Sequence, residues 1–234
     1  MPYPQIKRRQ SGFTLIEIAI VLVIIGLLLG GILKGQELIN SARVKNLASD
    51  FRNVPVFIYG YQDKFKSLPG DDSEAVAHVG TGSVTPGAGD GDGVIEGTWD
   101  SGTAAVPTEA FLFWQHVRLA GLAPGPTALT APDYQQRNAV GGFIGVQGGA
   151  PFTGMSGTYF ICSGNILGRF AKQLDTQLDD GNTATGSLMV GTTLPTAIAT
   201  TSIVDATPDI SPLRRAFSCL KHFPRIPRIT PATP

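Results

Sequence analysis

Residues 13–33 read FTLIEIAIVLVIIGLLLGGIL, 21 residues with a single charged side chain, Glu17. As an α-helix this run spans about 31 Å, the thickness of a bilayer's hydrocarbon core. Lys7, Arg8 and Arg9 precede it, with no acid before Glu17. The positive-inside rule therefore keeps the N-terminus cytoplasmic and exports the remainder. A secretory signal does not fit, because its apolar core is shorter and ends at a small-residue cleavage site. Here the run continues into Lys34-Gly35-Gln36-Glu37. A simple uncleaved anchor leaves Glu17 without a purpose, and a lone carboxylate in hydrocarbon is costly enough to mark a function.

The junction Lys7-Arg8-Arg9-Gln10-Ser11-Gly12-Phe13-Thr14-Leu15-Ile16-Glu17 closely resembles the class III signal of type IV prepilins and type II secretion pseudopilins. Four unusual features coincide: a basic leader, Gly before Phe, Glu at a fixed spacing, and a membrane-length apolar run. The resemblance implies a prepilin peptidase that cuts the Gly12–Phe13 bond on the cytoplasmic side and methylates the new amine of Phe13. It also implies that Glu17 is the glutamate which guides filament assembly. Glu17 of a subunit already in place would meet the Phe13 amine of an incoming one, neutralising two charges that are costly in lipid. The alternative is a Glu17 that snorkels or stays protonated in an inert anchor. The partners implied are the prepilin peptidase, identical or related pilin subunits, and an inner-membrane assembly platform. The implied location is the inner membrane, then a periplasmic or extracellular filament.

Beyond Lys34 the apolar residues fall into steps of three and four: Val44, Leu47, Phe51, Val54, Ile58, Tyr61, Phe65, Leu68. That is one helical stripe, and Pro69-Gly70 ends it. Pro55 lies inside and is expected to kink the helix. A rod over 13–68 would be roughly 80 Å long, apolar all round in its first half and on one face in its second. Gly26, Gly30, Gly31 and Gly35 lie within it. Their four-residue spacing suits close helix approach in lipid, and ordinary transmembrane glycine usage explains them equally well.

The chain as a whole is poor in charge, 15% against the roughly 25% of ordinary globular chains, and rich in Gly (29) and Pro (17). Net charge is zero, so strong non-specific nucleic-acid binding is not expected. Removing Lys7, Arg8 and Arg9 from 18 basic residues leaves 15 against 18 acids, a charge of −3 on the exported part. In an exported chain the default reading of Cys162 and Cys219 is one disulfide, with two free buried thiols as the alternative.

Residues 80–108 read as a long Gly-, Thr- and Asp-rich loop. Within it, Asp90-Gly91-Asp92-Gly93 looks like the middle of a calcium loop. An EF-hand is rejected, since Ala88 and Trp99 occupy positions where carboxylates belong. Asp90 and Asp92, with Asp71 or Asp72, remain candidate ligands of a looser calcium site, and ordinary Asp-Gly turns are the alternative. No other cofactor is expected. Thr108 caps a helix from Glu109 to Ala120 ended by Gly121, in which His116 reads as a structural histidine. A further helix is expected from Asn165 to Leu178, where the acids Asp179 and Asp180 oppose the helix dipole. Residues 142–147, 157–162, 187–193 and 197–204 read as antiparallel strands.

The expected fold is α+β: a long N-terminal helix packed on a small antiparallel sheet, as in pilins. The divisions are a cleaved leader (1–12), the long helix (13–68, transmembrane over 13–33), a globular head (69–213) and a flexible basic Pro-rich tail (214–234). The expected function is a structural subunit of a type IV pilus or pilus-like filament. A type II secretion pseudopilin or a minor tip adhesin is the alternative. A membrane-anchored enzyme is the rival from another class, but no G-x-S-x-G, P-loop, HExxH or Cys/His pair is present.

Overall fold

The computed structural model describes residues 14–80, 85–191 and 215–222. In chain order these form α1 (Leu15–Phe65), α2 (Ala75–Val79), α3 (Glu109–Leu119), β1 (Ile144–Gln147), β2 (Tyr159–Leu167), α4 (Gly168–Leu178), β3 (Leu188–Gly191) and β4 (Arg215–His222). The architecture is α+β, a long N-terminal helix and a small antiparallel sheet. The chain divides into two compact units, Met1–Ala42 and Arg43–Pro234.

In the first unit α1 is apolar on every side and exposed along its apolar run, from Leu15 at 92% to Leu33 at 67%. A helix that is hydrophobic all round needs a non-aqueous surrounding or other helices to cover it. In the second unit α1 buries one face: Val44, Leu47, Ala48, Phe51, Val54, Ile58 and Tyr61. This is the stripe expected from the three-and-four spacing, with Phe65 and Leu68 only partly buried at its end. The helix runs on through Pro55. Proline removes a backbone hydrogen bond there, and the buried side chains Phe51, Val54 and Ile58 on either side hold the adjacent turns in the core.

The sheet has the order β1-β2-β4-β3, every pair antiparallel. Successive side chains on a strand point to opposite faces, and both faces here are covered. Tyr159, Ile161, Leu188 and Val190 join one core cluster with α1 residues, Phe113, Trp114 and Val117 of α3, and Phe170 and Leu174 of α4. Phe160, Cys162, Met189 and Cys219 join a second cluster with the loop residues Trp99, Phe152 and Met155. Cys162 and Cys219 sit directly opposite each other on β2 and β4 and are disulfide-bonded across 57 residues of sequence.

Residues 215–222 are the principal departure from the sequence reading, which placed 214–234 in a flexible tail. They form β4, between β2 and β3. The run Ala216-Phe217-Ser218-Cys219-Leu220 is an apolar island among basic residues and prolines, and averaging over the tail conceals it. Ser218 and Cys219 are buried, and Leu220 packs on the main cluster. β4 also explains why α4 begins later than expected. Ile166 pairs with Ala216 and Leu167 with Arg215, so β2 continues through residues whose spacing alone suits a helix. The strands expected at 142–147, 157–162 and 187–193 appear as β1, β2 and β3, with shifted ends. The strand expected at 197–204 lies outside the described residues.

Candidate functional site: the N-terminal segment and the acidic loop

The Gly12–Phe13 bond lies outside the described residues, which begin one position later at Thr14. Thr14 and Glu17 open α1 as a reciprocal pair. The Glu17 N–H donates to Thr14 Oγ1 at 3.3 Å, while Glu17 Oε2 accepts from the Thr14 N–H at 2.8 Å and its hydroxyl at 2.7 Å. This is a capping box, which satisfies otherwise orphaned donors of the first turn. Sequence reasoning assigned Glu17 an intermolecular role and missed the local one, although Thr14-Leu15-Ile16-Glu17 carries its signature. Both Thr14 bonds fall on Oε2, and Oε1 carries no partner among the described residues.

Further along the apolar run, a Cβ added to Gly26, Gly30, Gly31 or Gly35 would meet nothing within 4 Å. Glycine in a helix interior costs about 1 kcal/mol relative to alanine. No contact with the described residues requires that cost.

The head carries a second group of functional candidates around the 90–96 loop. Two buried acids clasp it. Asp71 accepts from the Gly91 and Gly93 N–H groups, both at 2.8 Å. Glu109, the first residue of α3, accepts from Asp90 N–H at 2.9 Å and Glu96 N–H at 3.0 Å. Burial pushes Asp71 up to about 6 and Glu109 up to about 7, and the backbone donors offset part of that. Asp90 and Asp92 each accept from the N–H two residues on, at 3.1 and 2.8 Å, forming successive Asx turns. Carboxylate oxygens of Asp71, Asp90 and Glu109 approach within 4.8 Å of one another, as do those of Asp90, Asp92 and Glu96. Asp72 belongs to a different network: it accepts from Tyr61 O–H at 2.6 Å and pairs with His78 Nδ1 at 2.7 Å.

His116 is fully buried. Its Nδ1 accepts from the Gly70 N–H at 2.9 Å, which leaves Nε2–H to donate to the Gly87 carbonyl at 2.7 Å. Burial holds its pKa below the ordinary histidine range, so it is a neutral bridge between α3 and two loops. Gly70 is required beside it: its φ is +99°, and an added Cβ would lie 2.5 Å from the Glu109 carbonyl oxygen.

Asp71→Ala is expected to destabilise the head by about 2–3 kcal/mol, because two buried N–H groups lose their acceptor. Denaturant unfolding of the full chain in detergent checks this. A change below about 0.5 kcal/mol would show that water satisfies those amides equally well.

The exposed apolar helix, entered through this capping box, is long and apolar enough to cross a membrane. A prokaryotic N-terminal methylation motif matches residues 7–33. The chain therefore carries a prepilin-type signal of the kind found on type IV pilin-like precursors, and the motif implies processing by a prepilin peptidase. Comparisons with curated proteins and with solved structures return no match.

Proposed function

We propose that the mature chain is a structural subunit of a type IV pilus or pilus-like filament. The observation that carries this reading is the methylation motif at residues 7–33, continuous with an exposed helix long and apolar enough to cross a membrane. The precursor resides in the inner membrane with its N-terminus in the cytoplasm. The peptidase cuts Gly12–Phe13 and methylates the Phe13 amine, which stays cationic. An assembly platform then moves the subunit from lipid into a filament with identical or related subunits, outside the membrane.

In this reading the apolar half of α1 exchanges lipid for the same surface of its neighbours. Gly26, Gly30, Gly31 and Gly35 permit close approach there. Apolar packing supplies bulk affinity, while the pairing of Glu17 with a neighbour's Phe13 amine sets register. The unpartnered Oε1 gives the incoming amine an acceptor without dismantling the capping box.

Intact-mass analysis of membrane-extracted protein tests the first step. The expected mature chain begins at Phe13 and carries one methyl group on its amine. A chain that still begins at Met1, or one that begins after Leu33, overturns the filament-subunit reading.

A further inference from the structure

We propose that Asp175, Asp179 and Asp180, at the C-terminal end of α4, form a binding site for a divalent cation, calcium by the chemistry of its donors. Carboxylate oxygens of the three residues lie within 4.8 Å of one another. Calcium binds oxygen at about 2.3–2.6 Å, so two ligands of one ion stand up to about 5 Å apart. The group contains neither His nor Cys, which disfavours zinc and suits a hard cation.

The independent observation is Asp175 itself. It is 0% exposed, and neither carboxylate oxygen has a hydrogen-bond partner among the described residues. The Gly181 N–H faces it and eases the burial in part, but not at hydrogen-bond geometry. An unpartnered buried carboxylate is among the costliest groups a fold can hold. Burial, then Asp179 and Asp180, push it up to about 7. The helix end compounds the problem. The last turn of α4 holds no basic residue, so three acids gather at the negative end of the helix dipole. A cation resolves all of these conflicts together.

The surrounding chain is arranged to hold such an ion. Asp179 Oδ2 accepts from the Ser187 and Leu188 N–H groups, the latter at 2.9 Å, which fastens it to the start of β3. Asp180 Oδ1 accepts from the Asn182 N–H at 2.8 Å. None of these bonds uses Asp179 Oδ1 or Asp180 Oδ2. Burial falls from Asp175 through Asp179 to the exposed Asp180, which leaves an entry path from solvent. The contrast with the 90–96 loop is direct. There four backbone N–H groups already point into Asp71 and Glu109, whereas among the described residues no donor stands at hydrogen-bond geometry to the Asp175 carboxylate.

The test uses the full chain in detergent, stripped of metal with a chelator, so it reads the monomer and is independent of filament assembly. Calcium chloride is titrated calorimetrically and thermal unfolding is followed with and without calcium. A saturable calcium-binding heat and a raised unfolding midpoint are expected. Asp175→Asn should weaken binding by about tenfold or more and abolish the midpoint shift, since ligand charge sets affinity. Binding that is lost in the double variant Asp90→Asn with Asp92→Asn and kept in Asp175→Asn would place the ion in the 90–96 loop and overturns the proposal. No calcium binding by the parent chain overturns the proposal. So does retention of binding in Asp175→Asn, which would make Asp175 a buried neutral acid and nothing more. If Asp175→Asn does not fold, Asp180→Asn at the exposed edge carries the test: about tenfold weaker binding supports the site, and unchanged binding overturns it.

Discussion

Glu17→Gln is expected to accumulate as processed, membrane-bound subunit and to yield few filaments. On the filament-subunit reading proposed above, export and cleavage should be unaffected, because the peptidase would read the leader and the Gly12–Phe13 bond. Glutamine serves at this position of a capping box as glutamate does, so the Thr14 bonds that open α1 are largely kept. What is lost is the negative charge. On the same reading, the incoming Phe13 amine would then enter the filament core unpaired. Removing one member of a buried charge pair costs about 3–5 kcal/mol, roughly a hundredfold or more in the assembly equilibrium. Glu17→Asp should fall between, with the charge kept and the reach shortened. Thr14→Ala is the control for the local role: it removes the cap, worth about 1 kcal/mol, and leaves the charge in place. Sheared-filament yield against the processed membrane pool, across the four chains, separates the effects. Normal yield from Glu17→Gln, or an equal fall in Thr14→Ala, would show that charge at Glu17 does not guide assembly.

Replacing Cys162 and Cys219 together by alanine is expected to lower the head's stability by about 4 kcal/mol. The bond closes a 57-residue separation, and in the chain-entropy model a loop of that size restricts the unfolded chain by about that amount. The closed loop contains α4 and β3, so the bond ties much of the sheet to its own partner strand. Both sulfurs lie in the second core cluster, and their loss also removes packing there. Chemical unfolding of the parent and double variant in detergent measures the difference. Non-reducing peptide mapping of protein from its native compartment should recover the linked pair. Two alkylatable thiols in that material, or a stability loss under about 1 kcal/mol, would refute the expectation.

The parts of this protein that were legible in the sequence are those written in local chemistry. An apolar run of membrane length behind a basic leader can be read without a partner, because the thickness of lipid sets its length. The stripe from Val44 to Tyr61 was equally plain, since a 3.6-residue period registers burial before the buried surface is known. The Thr108 cap and the Gly121 stop of α3 belong with them: observed α3 differs by one residue from the expected helix, and Thr108 accepts from the Phe111 N–H.

Other features depended on residues far apart in the chain. β4 is a short apolar island whose weak local signal becomes a strand only because β2 and β3 offer unsatisfied edges on both sides. The same pairing draws Ile166 and Leu167 into β2 against their helical spacing. α3 shows the limit of periodicity in another way: its expected apolar face is buried, but so are Glu109, Gln115, His116 and Arg118. Their polar atoms are satisfied by loops. The Arg118 guanidinium, for example, donates to the Pro124, Pro126 and Tyr134 carbonyls. Sequence by itself determined the membrane-length apolar run, the signal that precedes it and the helical stripe from Val44 to Tyr61, because each follows from neighbours along the chain and the solvent they face. Tertiary structure alone decided the centre of the sheet and which acids are buried, because strand pairing and desolvation are properties of residues brought together from distant positions.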